Sequence, residues 1–315
     1  MNKITDLIKA RKYRFVEDPD TERLLGSDMG LGGLDVTGEL VPVLDLSTVT
    51  WKNKGDINTR WSEDKKSCWI TGSALLSPGL FLLPDRANHS VKLVDVTTRT
   101  VTSHLKLPCA PWAVCALPDD QAAVTLPFKC MIQLLSTQGG QLSCEKEIKV
   151  SSGCCGIAYY NNRLYVSYKS NPRIIVVTLD GQIVKTFQRD DGKQLFKAPY
   201  SLTVSSSTPP TLYVSDLTAH KVLQLSLDGT LLRKYRDDQL INPRSIVEVG
   251  PGQLLVCGQG SNNVMLLTEK DGKMAEILGH REGLPNPYTL AFCSHIRAIV
   301  VGMYSNDSQK VFNAN

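Results

Sequence analysis

Short apolar runs alternate along the chain with clusters of Gly, Pro, Asn and Asp, and beyond Ile4, Leu7 and Ile8 no run keeps a helical period. Two phrases stand out: "VTLDGQIVKTF" beginning at Val177 and "LSLDGTLLRKY" beginning at Leu225. Each is an apolar run, an Asp-Gly pair and a second apolar run. That is the pattern of a hairpin in which Asp-Gly supplies the positive-φ residues of a tight two-residue turn. A weaker copy occupies residues 270–273. Hairpins recurring at intervals of forty-odd residues point to an internal repeat.

A phrase of the form Pro, aromatic or basic, small, aliphatic gives the period. It reads Pro199-Tyr200-Ser201-Leu202, Pro243-Arg244-Ser245-Ile246 and Pro287-Tyr288-Thr289-Leu290, with starts spaced 44 residues apart. The same step backwards reaches Cys155-Gly156, then Pro111-Trp112, then Ser67-Cys68-Trp69. The first five copies each carry three further short runs rich in β-branched residues and the sixth carries two, all separated by turn residues. Four strands per copy and six copies define an all-β fold, a six-bladed β-propeller of four-stranded antiparallel blades. The sixth copy stops at Asn315, before its fourth strand. An open edge there invites pairing with another strand. The pattern predicts that residues 57–61 pair with the Val311 region and close the ring. The propeller is expected to span residues 45–315. Residues 1–44 read as a linker with a short N-terminal helix, a possible coiled-coil tail.

Composition narrows the class. The chain has 315 residues, 42% of them hydrophobic, and a formal net charge of +4, which implies no global polyelectrolyte partner. No apolar run is long enough to span a membrane. The nine cysteines show no Cys-x-x-Cys spacing, which reads as reduced thiols of a cytoplasmic protein.

The segments "WITGSALLSPGLFLLPDRANHSVKLVDV" and "LPDDQAAVTLPFKCMIQLLSTQGGQL" resemble the C-terminal NHL-type propeller of invertebrate tripartite-motif proteins. Asp85, Asn88 and His89 before an aliphatic strand are close to the phrase that names the repeat, and Asp216, His220 and Lys221 form a looser copy. The upstream "YRFVEDPDTERLLGSDMGLGGLDV" is similar to the stretch between coiled coil and propeller in that family. The resemblance implies the recognition half of a RING-type ubiquitin ligase, a dimer through an upstream coiled coil, and a propeller face that binds protein or RNA.

In a four-stranded meander the start of strand one and the loop between strands two and three share a face. The second position of the repeated phrase therefore rings the channel mouth: Cys68, Trp112, Gly156, Tyr200, Arg244 and Tyr288. The neighbouring loops bring Arg86, Lys129, Lys169, Arg173, His220 and Lys221. Trp112, Tyr200, Tyr288 and Arg244, with these cations around them, suit stacking of unpaired bases or the gripping of a peptide. The first strands carry hydroxyls and aliphatic residues but no carboxylates, so no metal cage or cofactor is expected. Nucleophile motifs are absent, and the chain is expected to catalyse nothing. The expected function is recruitment of a protein substrate to a ubiquitin ligase, with single-stranded or hairpin RNA binding as the alternative.

Overall fold

The computed structural model describes Leu46 and residues 48–314; the expectations placed on residues 1–44 lie outside them. Six four-stranded antiparallel sheets follow one another as blades of a propeller. Blade one comprises Ala74–Ser77, Leu80–Asp85, Ser90–Asp95 and Thr100–Lys106. Blade two runs from Val114–Leu117 to Ser143–Lys149, and blade three from Cys154–Tyr160 to Ile183–Phe187. Blade four runs from Pro199–Val204 to Leu231–Tyr235, and blade five from Pro243–Gly250 to Met274–Leu278. Blade six holds Pro287–Cys293, Ala298–Met303 and Ser308–Ala314, and takes its outer strand, Trp51–Asn58, from before the first blade.

The ring therefore closes as the sequence predicts, but with an earlier strand. Trp51 pairs with Ala314 and Ile57 with Gln309, so only Ile57 and Asn58 of the expected segment lie in the strand. A bulge between Asn53 and Asp56, with Gly55 at φ +99°, inserts one residue. Without it Trp51 and Ile57, six positions apart, would share a face. With it Trp51 enters the core between blades five and six, while Ile57 enters the core between blades six and one. The strand's remaining residues are mostly polar, which hid it from a search for apolar runs.

The core is a set of wedges between adjacent sheets. Leu117, Ile132 and Val166 fill the wedge between blades two and three, and Ile174, Leu212 and Val214 the next. The Asp-Gly hairpins join strands three and four, but their turns differ from the expected two-residue form. Thr178 and Gln182 pair through the backbone, and the Gly181 amide donates to Thr178. Only Gly181 of that turn has a positive φ, +95°, and Gly229 matches it at +94°. These are three-residue loops in which a bulge-forming glycine, not the aspartate, takes the left-handed position. Asp180 and Asp228 instead accept hydrogen bonds from Thr178 and Ser226.

A second device welds three of the sheets to the next. Thr125, Ser167 and Ser215 stand one residue before the end of the second strand in blades two, three and four. Ser167 accepts the Gly156 amide and donates to the Tyr200 carbonyl of the following blade, both at 2.8 Å. Thr125 likewise joins the Ala113 amide to the Cys155 carbonyl, and Ser215 the Ser201 amide to the Arg244 carbonyl. Pro84, Cys257 and Gly302 hold that place in the other three blades. Gly156 is a glycine because a Cβ there would lie 2.1 Å from the Tyr200 carbonyl oxygen.

Closure is also pinned by buried charge. Lys92, fully buried in the third strand of blade one, donates to Asp64 at 2.5 Å and to Asp85 at 2.8 Å, with the Cys68 thiol 3.1 Å away. Asp64 belongs to the segment that follows the closing strand. Burial alone would lower the Lys92 pKa, but the hydrogen bonds to Asp64 and Asp85 outweigh it and hold the amine above its ordinary value. Burial would likewise raise Asp85, but Lys92 and Asn88 hold that carboxyl below its ordinary range. Burial and then the Asp85 charge push the Cys68 thiol up to about 12.

The raised Lys92 stabilises the fold fully below the unfolded lysine pKa of about 10.4, and that contribution fades as pH rises through the higher folded value. The lowered Asp85 contributes above about 3.9, and its share is lost as pH falls through the folded value. Replacing Lys92 by Met strands two buried carboxylates and is expected to cost about 3–5 kcal/mol in urea unfolding near pH 7. Because Asp85, buried without Lys92, then favours the protonated form, the Lys92→Met protein should gain stability as pH falls from 7 to 5, a window in which the Asp85 contribution of the wild type is constant. An unchanged urea midpoint in the variant would show that Lys92 does not hold the two carboxylates in place.

Candidate ligand-binding face

The hydroxyl links fix the register of the channel mouth. Because the carbonyls of Cys155, Tyr200 and Arg244 are held by the preceding blade, their side chains project from equivalent places. The Trp112 amide, paired with the Thr125 carbonyl, matches that of Thr71, paired with Pro84. The mouth positions are thus Thr71, Trp112, Cys155, Tyr200, Arg244 and Tyr288. Cys68 and Gly156, expected there, are displaced by three residues and by one. Cys68 belongs to the Lys92 cluster, and Gly156 sits one step inside.

Four of the expected residues, Trp112, Tyr200, Arg244 and Tyr288, do meet, but as a plug. Tyr200 and Tyr288 are only 3% and 2% exposed. Their hydroxyls are 2.7 Å apart, and their rings meet edge to face. The Arg244 guanidinium lies 4.7 Å from both ring centres, and its Nε donates to Gln259. Trp112 packs edge-on against Tyr200. Burial, followed by the neighbouring Tyr288, keeps the Tyr200 phenol well above its ordinary pKa. The two tyrosine rings therefore lie below the surface, where an incoming base or side chain does not stack on them. Beneath the plug, a channel cavity of about 260 Å³ is walled by Thr71, Ser73, Gly156, Ser201 and Ser245 among others.

What reaches the surface is the neighbouring rim. Trp69, not singled out in the sequence, meets Trp112, Tyr288 and Tyr304 edge-on. Arg86 lies between the two tryptophans, 4.2 Å from the Trp69 ring and 4.8 Å from the Trp112 ring. Phe128 stands 5.9 Å from the same guanidinium and is 69% exposed. A 3₁₀ turn, Pro127–Lys129, lifts it there: Pro127 is buried and Cys130 closes the turn in the left-handed region. Tyr304, half exposed, extends the aromatic surface. Aromatic character at loop positions was the available signal for Phe128 and Tyr304; the search of first strands alone passed them over.

The other expected cations differ in their surroundings. Lys129 is exposed beside Phe128, and Lys169 is exposed in the loop of blade three. Arg173 lies over the Tyr168 ring and donates to the Asn171 carbonyl. The His220 Nδ1 accepts the Asn242 amide of the next blade, and His220 and His89 both take left-handed φ values. Burial lowers the Lys221 pKa, with Asp216 opposing. Asp64, Cys68 and Asp85 have ligand atoms close enough for a metal, but the Lys92 ammonium sits among them. Among the described residues all nine cysteines are free, and no helix is long and apolar enough to cross a membrane.

The architecture is shared with solved propellers. Streptogramin B lyase superposes with a TM-score of 0.61 at 13% identity, over 84% of this chain and 99% of that one. Virginiamycin B lyase from Staphylococcus aureus gives 0.62 at 14%, over the same shares. Hydrazine synthase from Kuenenia stuttgartiensis gives 0.57 at 18%, over 77% of this chain and 76% of that one. No family model and no curated relative matches the sequence. At these identities the likeness establishes the class, a six-bladed β-propeller, and not the NHL or tripartite-motif family. It also corrects one expectation. A lack of carboxylates in the first strands does not make the chain non-catalytic, because two of these neighbours are lyases. Loops on such a scaffold also supply chemistry.

The plug makes a measurable claim. Removing either phenol oxygen leaves its partner buried with one hydrogen bond fewer, at a cost of about 1–3 kcal/mol. Tyr200→Phe and Tyr288→Phe should each lower the chemical unfolding midpoint, and the double variant should lose less than the sum. Strict additivity in that cycle would show that the two hydroxyls do not interact.

Proposed function

We propose that this propeller is a recognition module that docks a segment of a partner protein on the rim between blades one and two. The observation that carries the reading is Phe128, largely exposed beside an arginine held over two tryptophans. Arginine and aromatic residues dominate binding energy at protein interfaces, where a rigid aromatic anchor loses little entropy on contact. Trp69, Trp112 and Arg86 pack against one another, so the surface is preorganised. The resemblance to NHL-type propellers supports the same face, and in that family setting the recruited protein is a ubiquitylation substrate. RNA is the weaker reading, because two of the three rings suited to base stacking, Tyr200 and Tyr288, are buried in the plug.

A peptide-display selection against the propeller tests this reading. Peptides recovered on wild type should lose at least tenfold in affinity on Phe128→Ser, with the unfolding midpoint unchanged. In parallel, mixed single-stranded RNA is titrated at low and high salt. Salt-sensitive RNA binding that Phe128→Ser abolishes, with no peptide recovered, would replace the protein reading by RNA.

A further inference from the structure

Resting on that reading, we infer that the rim site selects a peptide whose carboxylate side chain lies next to an apolar one. The site is a cavity of about 570 Å³ whose lining combines charged and apolar residues. Lys66 and Arg86 bring positive charge to its lining, and Cys109, Ala110 and Phe128 bring apolar surface. No carboxylate side chain lines it, so the cations face it without a counter-charge of their own. Lys129 adds a further exposed cation beside Phe128.

The hydrogen-bonding character points the same way. The Arg86 Nε, in the lining of this cavity, is a buried donor with no partner among the described residues. Arginine, lysine and tryptophan donate and do not accept. A ligand that satisfies such a wall brings acceptors, and a carboxylate brings two oxygens in the geometry that a guanidinium fork matches. Arg86 is already oriented by the two indoles, so little side-chain freedom is lost on pairing. The apolar lining adds a contact that a bare anion does not use. It asks for an aliphatic or aromatic neighbour on the same strand of peptide, able to lie on Phe128. Charge complementarity thus commits the site to an acidic peptide segment with an apolar residue beside the acid.

The test is a selection from a library of random dodecapeptides on wild-type protein, followed by titration of the best binders and their Glu→Gln or Asp→Asn analogues. The recovered peptides should carry Asp or Glu within two positions of Leu, Phe or Trp. Amide analogues should bind at least tenfold more weakly. Lys66→Glu should cause a similar loss and Arg86→Gln a larger one, while higher salt weakens all binding. Lys66 has an exposed side chain, so its variant remains informative if Arg86→Gln disturbs the tryptophans. Neutral or basic peptides that depend on Phe128 but ignore Lys66→Glu would overturn the acid assignment and leave the recognition module standing. Peptides indifferent to Phe128→Ser, or none at all, would remove the recognition reading itself.

Discussion

Every blade of this ring depends on a neighbour at each side, so the structure rests on how its last gap is closed. A blade on its own would expose two apolar sheet faces, and the wedge cores exist only between sheets. Blade six has three strands from its own copy and needs Trp51–Asn58 to complete it. The bulge at Gly55 lets one short polar strand anchor two wedges, through Trp51 on one side and Ile57 on the other. The chain then turns into blade one, where Asp64 is tied to Lys92. Hydrogen bonding closes the ring at its edge, while buried charge fastens the following segment to the next sheet.

The repeat was legible because each copy spends apolar β-branched residues on strands that face two sheets, and nothing else in the chain imitates that pattern. The register was legible where Pro precedes the mouth residue, as at Pro111, Pro199, Pro243 and Pro287. It slipped by three at Cys68 because the step of 44 residues does not hold between blades one and two, where Thr71 makes the backbone bond equivalent to that of Trp112. It slipped by one at Gly156, whose identity answers to the Tyr200 carbonyl and not to the channel. The closing strand was placed a few residues late because "WKNKGDIN" offers only two apolar positions and a bulge between them. Lys92 was invisible: between Val91 and Leu93 it looks like a surface lysine, and only the fold brings two carboxylates to it.

The candidate site was half legible for a related reason. Sequence position identifies which residues start the first strands, but not how far their rings sink. Large rings at three of six mouth positions fill the opening that they surround, so Tyr200 and Tyr288 pack on each other and on Arg244. Their hydroxyls then pair with one another, 2.7 Å apart. The surface role passes outward to residues on longer leashes: Trp69 just before its strand, Arg86 just after one, and Phe128 on a turn.

This outward shift ties the rim to the closure. Asp85 accepts the Trp69 amide through one carboxylate oxygen and the Lys92 ammonium through the other. The Arg86 amide donates to the Trp69 carbonyl, and Lys66 is held by Asn88 through both its backbone groups. Asp216, the matching residue of blade four, caps the Lys197 and Ala198 amides in the same manner, but without a buried lysine. Blade one has thus elaborated a turn device common to the repeat into a charged latch, and Trp69, Arg86 and Lys66 hang from that latch. The closing segment and the rim share one set of hydrogen bonds, so the surface is in register only when the ring is shut.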